Sequence, residues 1–419
     1  MFASDQVRPR LGLVLHEGEL GGATVSLLRM APQLAERWEL RAWVPQEGPV
    51  LSVLERLGIP ACLQHRPHAF SLAGMLEPPG VWRRSLGVPA YLAEWSAWLR
   101  RESPDLLLFN TVLTTPELLA SVAAGGQRPR TVLHVHELLD RSPKALLAAQ
   151  LARLAELRLV PSLAARARLR RLGVDADVLY PGVPEPPLSR RRSSARSRRP
   201  VVGYVGTVCP VKGADLFIAV VERLRAQLGD DAFSARLVGR AAAGRWREWG
   251  EQTLALASRR GIDCRVPPPD ADDRWSLREL AEIDVLVVPS RADACPLVVL
   301  EAMASGVATV AFAVGGVPEQ LDGGAGVLVP AGNVAALAQA AALLVRDPRE
   351  RRRLALAGRE RQRRLFGLER QARGLDLILH RVLGRTPRSA AVTTIQAAAT
   401  ASPVVNSIAP SGRVSSRYE

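Results

Sequence analysis

The chain has 419 residues, 47% of them hydrophobic and 5% aromatic, and a formal net charge of +15. That length exceeds what one hydrophobic core fills, so two domains are expected, and the composition excludes collagenous, fibrous and wholly disordered chains. The charge admits nucleic acid, an anionic membrane face or anionic small substrates as partners.

In chain order, Leu11–His16 (LGLVLH) is a short apolar run closed by GELGG, and the apolar-periodic segment Thr24–Glu36 follows it: strand, glycine turn, helix. The unit recurs as Glu39–Val44 with the helix Val50–Leu57, then Leu106–Phe109 with Glu117–Ala124. It recurs again as Thr131–Val135 with a helical stretch through Leu157. Tyr180–Pro200 (YPGVPEPPLSRRRSSARSRRP) has no apolar period and reads as a linker. The alternation restarts with strand Val201–Val205, a glycine turn and helix Ala214–Leu228. It continues through Ala235–Val238, Val266, Val285–Val288 with helix Leu297–Ser305, Thr309–Phe312 and Val327–Val329. One long Arg-rich helical region is expected from Val334 to about Leu383, and Thr386–Glu419 is expected to be disordered. Strands alternating with helices imply parallel sheets covered on both faces, here an α/β chain of two doubly wound halves, with the ligand site at the carboxyl ends of the strands in the cleft between them.

The four cysteines (Cys62, Cys209, Cys264, Cys295) are scattered, without a CxxC pair or metal-ligand spacing; a reducing compartment and no structural zinc are expected. No run of roughly 18 uncharged apolar residues occurs, and the N-terminus does not read as a signal peptide, so any membrane contact is expected to be peripheral. The arginines are densest at Arg190–Arg199 and Arg346–Arg373. They read either as a solvated linker and helix face or as a surface drawn to anionic lipid; without interleaved aromatics or a recognised module, nucleic acid is not an expected partner.

Four constellations could carry chemistry. Gly21-Gly22, after the first strand, is either a structural turn or a place where backbone N–H groups approach an anion. His134 and His136 in HVHE share a face by strand alternation, and His136, at the strand's carboxyl end, is either a core residue or points to the cleft. The loop GYVGTVCPVKG ends in Lys212 just before a helix. Only two lysines, Lys144 and Lys212, stand among the 56 basic residues, which favours a compact ammonium for a pyrophosphate over a surface accident. In RADACPLVVLE, Asp293 lies on the loop after a strand and Glu301 one turn into the next helix. Leu297, Val298 and Leu300 are expected to face the core, and Gly315-Gly316 supplies a further backbone loop. The stretch is either a purely structural crossover or a ligand wall, since two carboxylates flanking a helix start can hold sugar hydroxyls, each accepting several hydrogen bonds. No metal site is expected; Asp272-Asp273 in a Pro-rich loop reads as solvation.

Taken together, residues 10–383 resemble the retaining, nucleotide-sugar-dependent glycosyltransferases of family 4 ("group 1" type) with the GT-B fold: two Rossmann-like domains facing across a cleft. The likeness is strongest over Pro289–Pro330, which follows the family's PSR-E-x7-E-AMA-G-GG-PE-GLLVP pattern. It implies an acceptor domain over 1–185, a linker over 186–200, a donor domain over 201–364, a helix over 365–385 crossing back to the first domain, and a tail over 386–419. It also implies transfer of a sugar from a nucleotide-diphosphate donor to a hydroxyl of a glycan, a lipid-linked or a small-molecule acceptor, with no required cofactor. The setting would be the cytoplasm or the inner face of the membrane. Glu301 would take the ribose hydroxyls, Asp293 the hydroxyls of the transferred sugar and Lys212 the diphosphate. Gly21 and Gly22 would add backbone contacts, His136 would stand beside sugar and acceptor, and Arg291, Pro296, Leu297 and Val298 would complete the donor pocket. Three positions depart from the pattern: Asp293 for Glu, Pro296 for Gly, and Thr207 for an Arg that partners the loop lysine, a role that Arg291 or Arg240 would then share. A GT-B sugar-nucleotide epimerase and a non-catalytic nucleotide-sugar-binding protein are the alternatives.

Overall fold

The computed structural model describes residues 8–71, 87–123, 128–186, 199–268 and 274–384. Most of the Arg/Ser-rich linker, Asp272-Asp273 and the tail from Thr386 onward lie outside the described residues. Among those described, 8–181 with 368–384 make one unit and 182–367 a second.

The first unit runs β1 (Arg10–Val14), α1 (Gly22–Ala35), β2 (Glu39–Val44), α2 (Pro49–Arg56), β3 (Ala61–Leu63), α3 (Val88–Glu102), β4 (Leu106–Asn110), α4 (Thr115–Ala123), β5 (Arg130–His134), α5 (Pro143–Ala152), β6 (Leu157–Val160), α6 (Leu163–Arg170) and β7 (Asp177–Val178). The second runs β8 (Val201–Val205), α7 (Ala214–Leu228), β9 (Ser234–Val238), α8 (Arg247–Arg259), β10 (Asp263–Arg265), α9 (Trp275–Leu280), β11 (Val285–Val288), α10 (Leu297–Ala304), β12 (Ala308–Phe312), α11 (Val317–Leu321), β13 (Val327–Val329), α12 (Val334–Arg346) and α13 (Pro348–Leu365). The last helix, α14 (Leu368–Val382), belongs to the first unit.

All strand pairs are parallel. The sheet orders are β3-β2-β1-β4-β5-β6-β7 and β10-β9-β8-β11-β12-β13. Both are doubly wound, because strands buried on both faces need near-continuous apolar runs, and LLLF, VVGYV, VLVV and ATVAF provide them. In each sheet the order reverses once, between β1 and β4 and between β8 and β11. The loops leaving those two strands turn to helices on opposite faces, which leaves a crevice at their carboxyl ends.

Several elements differ from the sequence expectation. The helix expected through Leu157 stops at Ala152, and Leu157–Val160 instead enters the sheet as β6, paired with β5 and β7. Helix α3 stands where none was expected; its Tyr91, Trp95 and Trp98 bury against Trp43 with ring centroids 5.0–5.6 Å away. The strand expected at Val266 ends at Arg265. The single Arg-rich helix is three. Pro348 cannot continue α12, and the Asp347 carboxylate accepts from the N–H groups of Arg349 (2.9 Å) and Glu350 (3.1 Å) to start α13.

Helix α14 packs on α1 and contributes Leu375, Ile378 and Leu379 to the core of the first unit. Its Asp376 accepts from the Trp38 indole (2.8 Å) and pairs with Arg37 (2.9 Å), while His380 sits edge-on to Trp38.

Candidate functional site

The second unit presents one constellation at its strand-order reversal. The loop after β8, Gly206–Gly213, closes in a short 3-10 turn, Pro210–Lys212, and Gly213 then begins α7. Gly213 has φ +75°, and a Cβ there would lie 2.1 Å from the carbonyl oxygen of Pro289, so only glycine permits the approach of this loop to the one after β11. Across that contact, Lys212 Nζ stands 2.5 Å from Asp293 Oδ2. Burial opposes the charge on Lys212, but the Asp293 carboxylate more than offsets it, and the ammonium titrates above its ordinary value. An ammonium has three donors, so one bond to Asp293 leaves two for an anion, and the side chain is 37% exposed.

Arg291, on the same loop as Asp293, forks onto Asp215 (2.9 and 2.6 Å) and also donates to the Pro210 carbonyl (2.5 Å). Its backbone N–H donates to Val211 O at 2.8 Å. Pro296 caps α10, so the first amides of that helix, at Leu297 and Val298, have no side-chain cap. The Pro296 carbonyl instead accepts from the buried Gln320 amide (3.0 Å), and Asp293 O accepts from Gly316 N (3.3 Å), tying the Gly315-Gly316 loop to this wall. Glu301 is buried on α10, 5% exposed. Beyond its first turn the helix is buried all round: Val299 and Leu300 are fully buried, and Ala302, Met303 and Ala304 are each at most 2% exposed. Leu297 and Val298, expected in the core, are half-buried because they stand in the first turn; Glu301 and Ala302, one turn later on the same faces, are buried.

The first unit has its own polar cluster at the equivalent strand ends. Gly21 precedes α1 with extended backbone, and a Cβ on it would meet Glu17 Oε1 at 2.6 Å. Glu17 in turn lies 2.9 Å from His16 Nε2. After β5, His136 Nε2 lies 3.0 Å from Asn110 Oδ1, and its ring centroid is 3.9 Å from that of His134. Burial holds both imidazoles below their usual titration range, His134 down to about 3. Burial pushes the Glu137 carboxyl up, and its Oε2 accepts from Val112 N at 3.4 Å. Thr111 holds φ +116°, a strained conformation for a β-branched residue, at the end of β4. Sequence reasoning named Gly21, Gly22 and His136 here but missed Glu17, Asn110 and Glu137. The signal available was position, since each is a polar residue just past an apolar strand run.

The structure thus brings Lys212, Arg291 and Asp293 together within the second unit, with Pro296, Leu297, Val298 and Glu301 on the adjoining α10, and Gly21, Gly22 and His136 at the strand ends of the first. Among the described residues no group of three or more His, Cys, Asp or Glu side chains could hold a metal ion.

Paired Rossmann-like sheets, each with glycine-dependent loops at a strand-order reversal, define the chain as a GT-B-type α/β protein. Residues 199–347 match the family model for glycosyl transferases group 1, and residues 20–185 that for glycosyltransferase family 4. A D-inositol 3-phosphate glycosyltransferase of Mycobacteroides abscessus is 27% identical over 340 residues, 75% of this chain and 74% of that protein. One of Xylanimonas cellulosilytica is 29% identical over 396 residues, 86% of this chain and 92% of that one. Other relatives of the same description are matched over 60% of their length. The crystal structure of Anabaena HepE in complex with UDP-glucose superposes with a TM-score of 0.72 at 22% identity, covering 89% of this chain and 99% of that one. The chain belongs to the group 1, family 4 glycosyltransferases.

Proposed function

We propose that the protein transfers a sugar, with retention, from a nucleotide-diphosphate donor to an acceptor hydroxyl, the donor seated on the second unit. The observation that carries this reading is the Lys212–Asp293 pair at the strand-order reversal, an ammonium with donors to spare beside a carboxylate that orients it. As the sugar–oxygen bond breaks, negative charge grows on the leaving diphosphate, and a fixed ammonium with the uncapped α10 amides stabilises it without reorganisation. Asp293 and Glu301 accept from sugar and ribose hydroxyls. His136 stands at the acceptor side with Gly21 and Gly22. With Asn110 Oδ1 accepting, its Nε2 carries the hydrogen and Nδ1 keeps a lone pair for a hydroxyl.

The relatives' names make D-inositol 3-phosphate the first acceptor to try, and the HepE complex makes UDP-glucose the first donor. The test offers UDP-, GDP- and ADP-sugars with and without acceptor. Acceptor-dependent release of the nucleoside diphosphate is expected, reduced by Lys212→Ala about 100-fold in kcat, the usual scale for one lost charge stabiliser. Conversion of the donor alone to an epimer, or nucleotide binding without turnover on any acceptor tried, would overturn transfer.

For a lipid-linked acceptor we place the protein at the inner membrane face. No described helix is long and apolar enough to cross a membrane, whereas α13 exposes Arg349, Arg352 and Arg364 around Leu356, which is 60% exposed. Co-sedimentation with phosphatidylglycerol vesicles but not phosphatidylcholine vesicles is the expected result; pelleting with neither, or with both alike, removes the anionic membrane face from the reading.

A further inference from the structure

The nucleotide reading gives Arg291 no direct part, because its guanidinium is already committed. One fork spans both oxygens of Asp215, and Nη1 also reaches the Pro210 carbonyl. These contacts fall on both sides of Lys212 in the chain. Pro210 and Val211 precede it and accept from the Arg291 side chain and backbone, while Asp215 follows it in the first turn of α7. Gly213 completes the bracket by its approach to Pro289. The loop that carries Lys212 is thereby stapled to the loop that carries Asp293.

We propose that Asp215 and Arg291 are positioning residues: their ion pair holds Lys212 in place beside Asp293 before any nucleotide arrives. This rests on the donor reading above. A lysine on an unpinned loop would lose side-chain and backbone freedom on each binding event, and a fixed one does not. The fork suits the task because bidentate guanidinium–carboxylate pairing fixes direction as well as distance, which a point charge cannot. Burial disfavours the Asp215 carboxylate, but Arg291 more than offsets this and keeps it ionised below its usual range, so the staple persists in mild acid.

The test compares affinities for UDP, GDP and ADP with those for uridine, guanosine and adenosine, by calorimetry on the full chain. The nucleosides lack the phosphates that Lys212 would meet. Asp215→Asn and Arg291→Lys should each weaken the bound diphosphate by about tenfold, the order expected of a small misplacement, and leave the nucleoside within twofold. In a Lys212→Ala background the same substitutions should have no further effect on the diphosphate. A merely structural cap on α7 would instead lower the thermal midpoint and move both ligands alike. Should Lys212→Ala weaken the diphosphate while both staple variants bind it as wild type does, the positioning role is overturned and the donor site stands. Additive losses in the Lys212→Ala background overturn it equally, by giving Asp215 and Arg291 an independent action. Failure of the wild-type protein to bind any of the three diphosphates removes the donor site itself. If Asp215→Asn unfolds, Arg291→Lys, which keeps a positive charge, decides the matter alone.

Discussion

Lys212 was legible as a functional residue from scarcity alone, being one of two lysines in an arginine-rich chain, but the identity of its partner was not. Eighty-one positions separate it from Asp293, and only the folding of two loops to one crevice joins them. Arg291 shows the opposite limit. Sequence reasoning placed it with the donor ligands, and its tertiary surroundings commit it to Asp215 and Pro210. Buried titratable groups give two measurable expectations at this scale. His134 is 3% exposed and pushed down to about 3 from 6.5, so between these values the unfolded chain binds a proton that the folded chain refuses. That share of stability is therefore full above pH 6.5 and declines as pH falls toward 3, by about 1.4 kcal/mol per pH unit. Urea unfolding of His134→Leu should accordingly lose about 2 kcal/mol less than wild type between pH 7 and pH 5. Glu117, fully buried, accepts from Arg66 (2.6 Å) and from Tyr91 (2.6 Å), whose hydroxyl also accepts from Trp43 (2.9 Å). Glu117→Ala leaves the mostly buried guanidinium unpaired and should cost about 3 kcal/mol in urea unfolding.

Among the elements, those with unbroken apolar runs or clear helical period were readable: β1, β4, β8, β11 and β12 fall where expected, as do α1, α7 and α10. Those that failed depend on partners distant in sequence. LRLV is short and follows a helical stretch, and it becomes β6 only because β5 and β7 offer it hydrogen-bonding edges. Helix α3 is aromatic-rich and mixed in pattern, and its direction is set by Trp43 across the unit. The glycine turn before α7 was legible as a turn, but the reason for glycine at 213 was not, since Pro289 O supplies it. Gly213→Ala combines a left-handed φ with a backbone collision. A stability loss of at least about 2 kcal/mol and weaker nucleoside diphosphate affinity are expected, read by thermal unfolding and calorimetry.

At the scale of the molecule, the alternation of strand and helix set the class, and the strand order completed it. The family resemblance implies that the final helix returns to the first unit, and which side chains it buries there is a tertiary outcome: α14 is 186 residues beyond Gly182, and its Ala372, Leu375, Ile378 and Leu379 are core residues of the first unit, each at most 3% exposed. Burying three such large aliphatic side chains is worth roughly 1.5–3 kcal/mol each. A chain ending at Gly367 should thus lose much of the first unit's stability, appearing as a second, lower thermal transition, whereas one ending at Gly384 should melt as the full chain does. By itself the sequence determined the fold class, the family likeness and the local motifs, because apolar periodicity, glycine turns and short motif spacings are properties of neighbouring residues. The pairing of Lys212 with Asp293, the staple of Arg291 on Asp215, the polar cluster around His136 and the contacts α14 makes within the first unit were decided only in three dimensions. Each joins groups from separate strand ends or distant helices, and their meeting depends on parallel crossovers that no local pattern encodes.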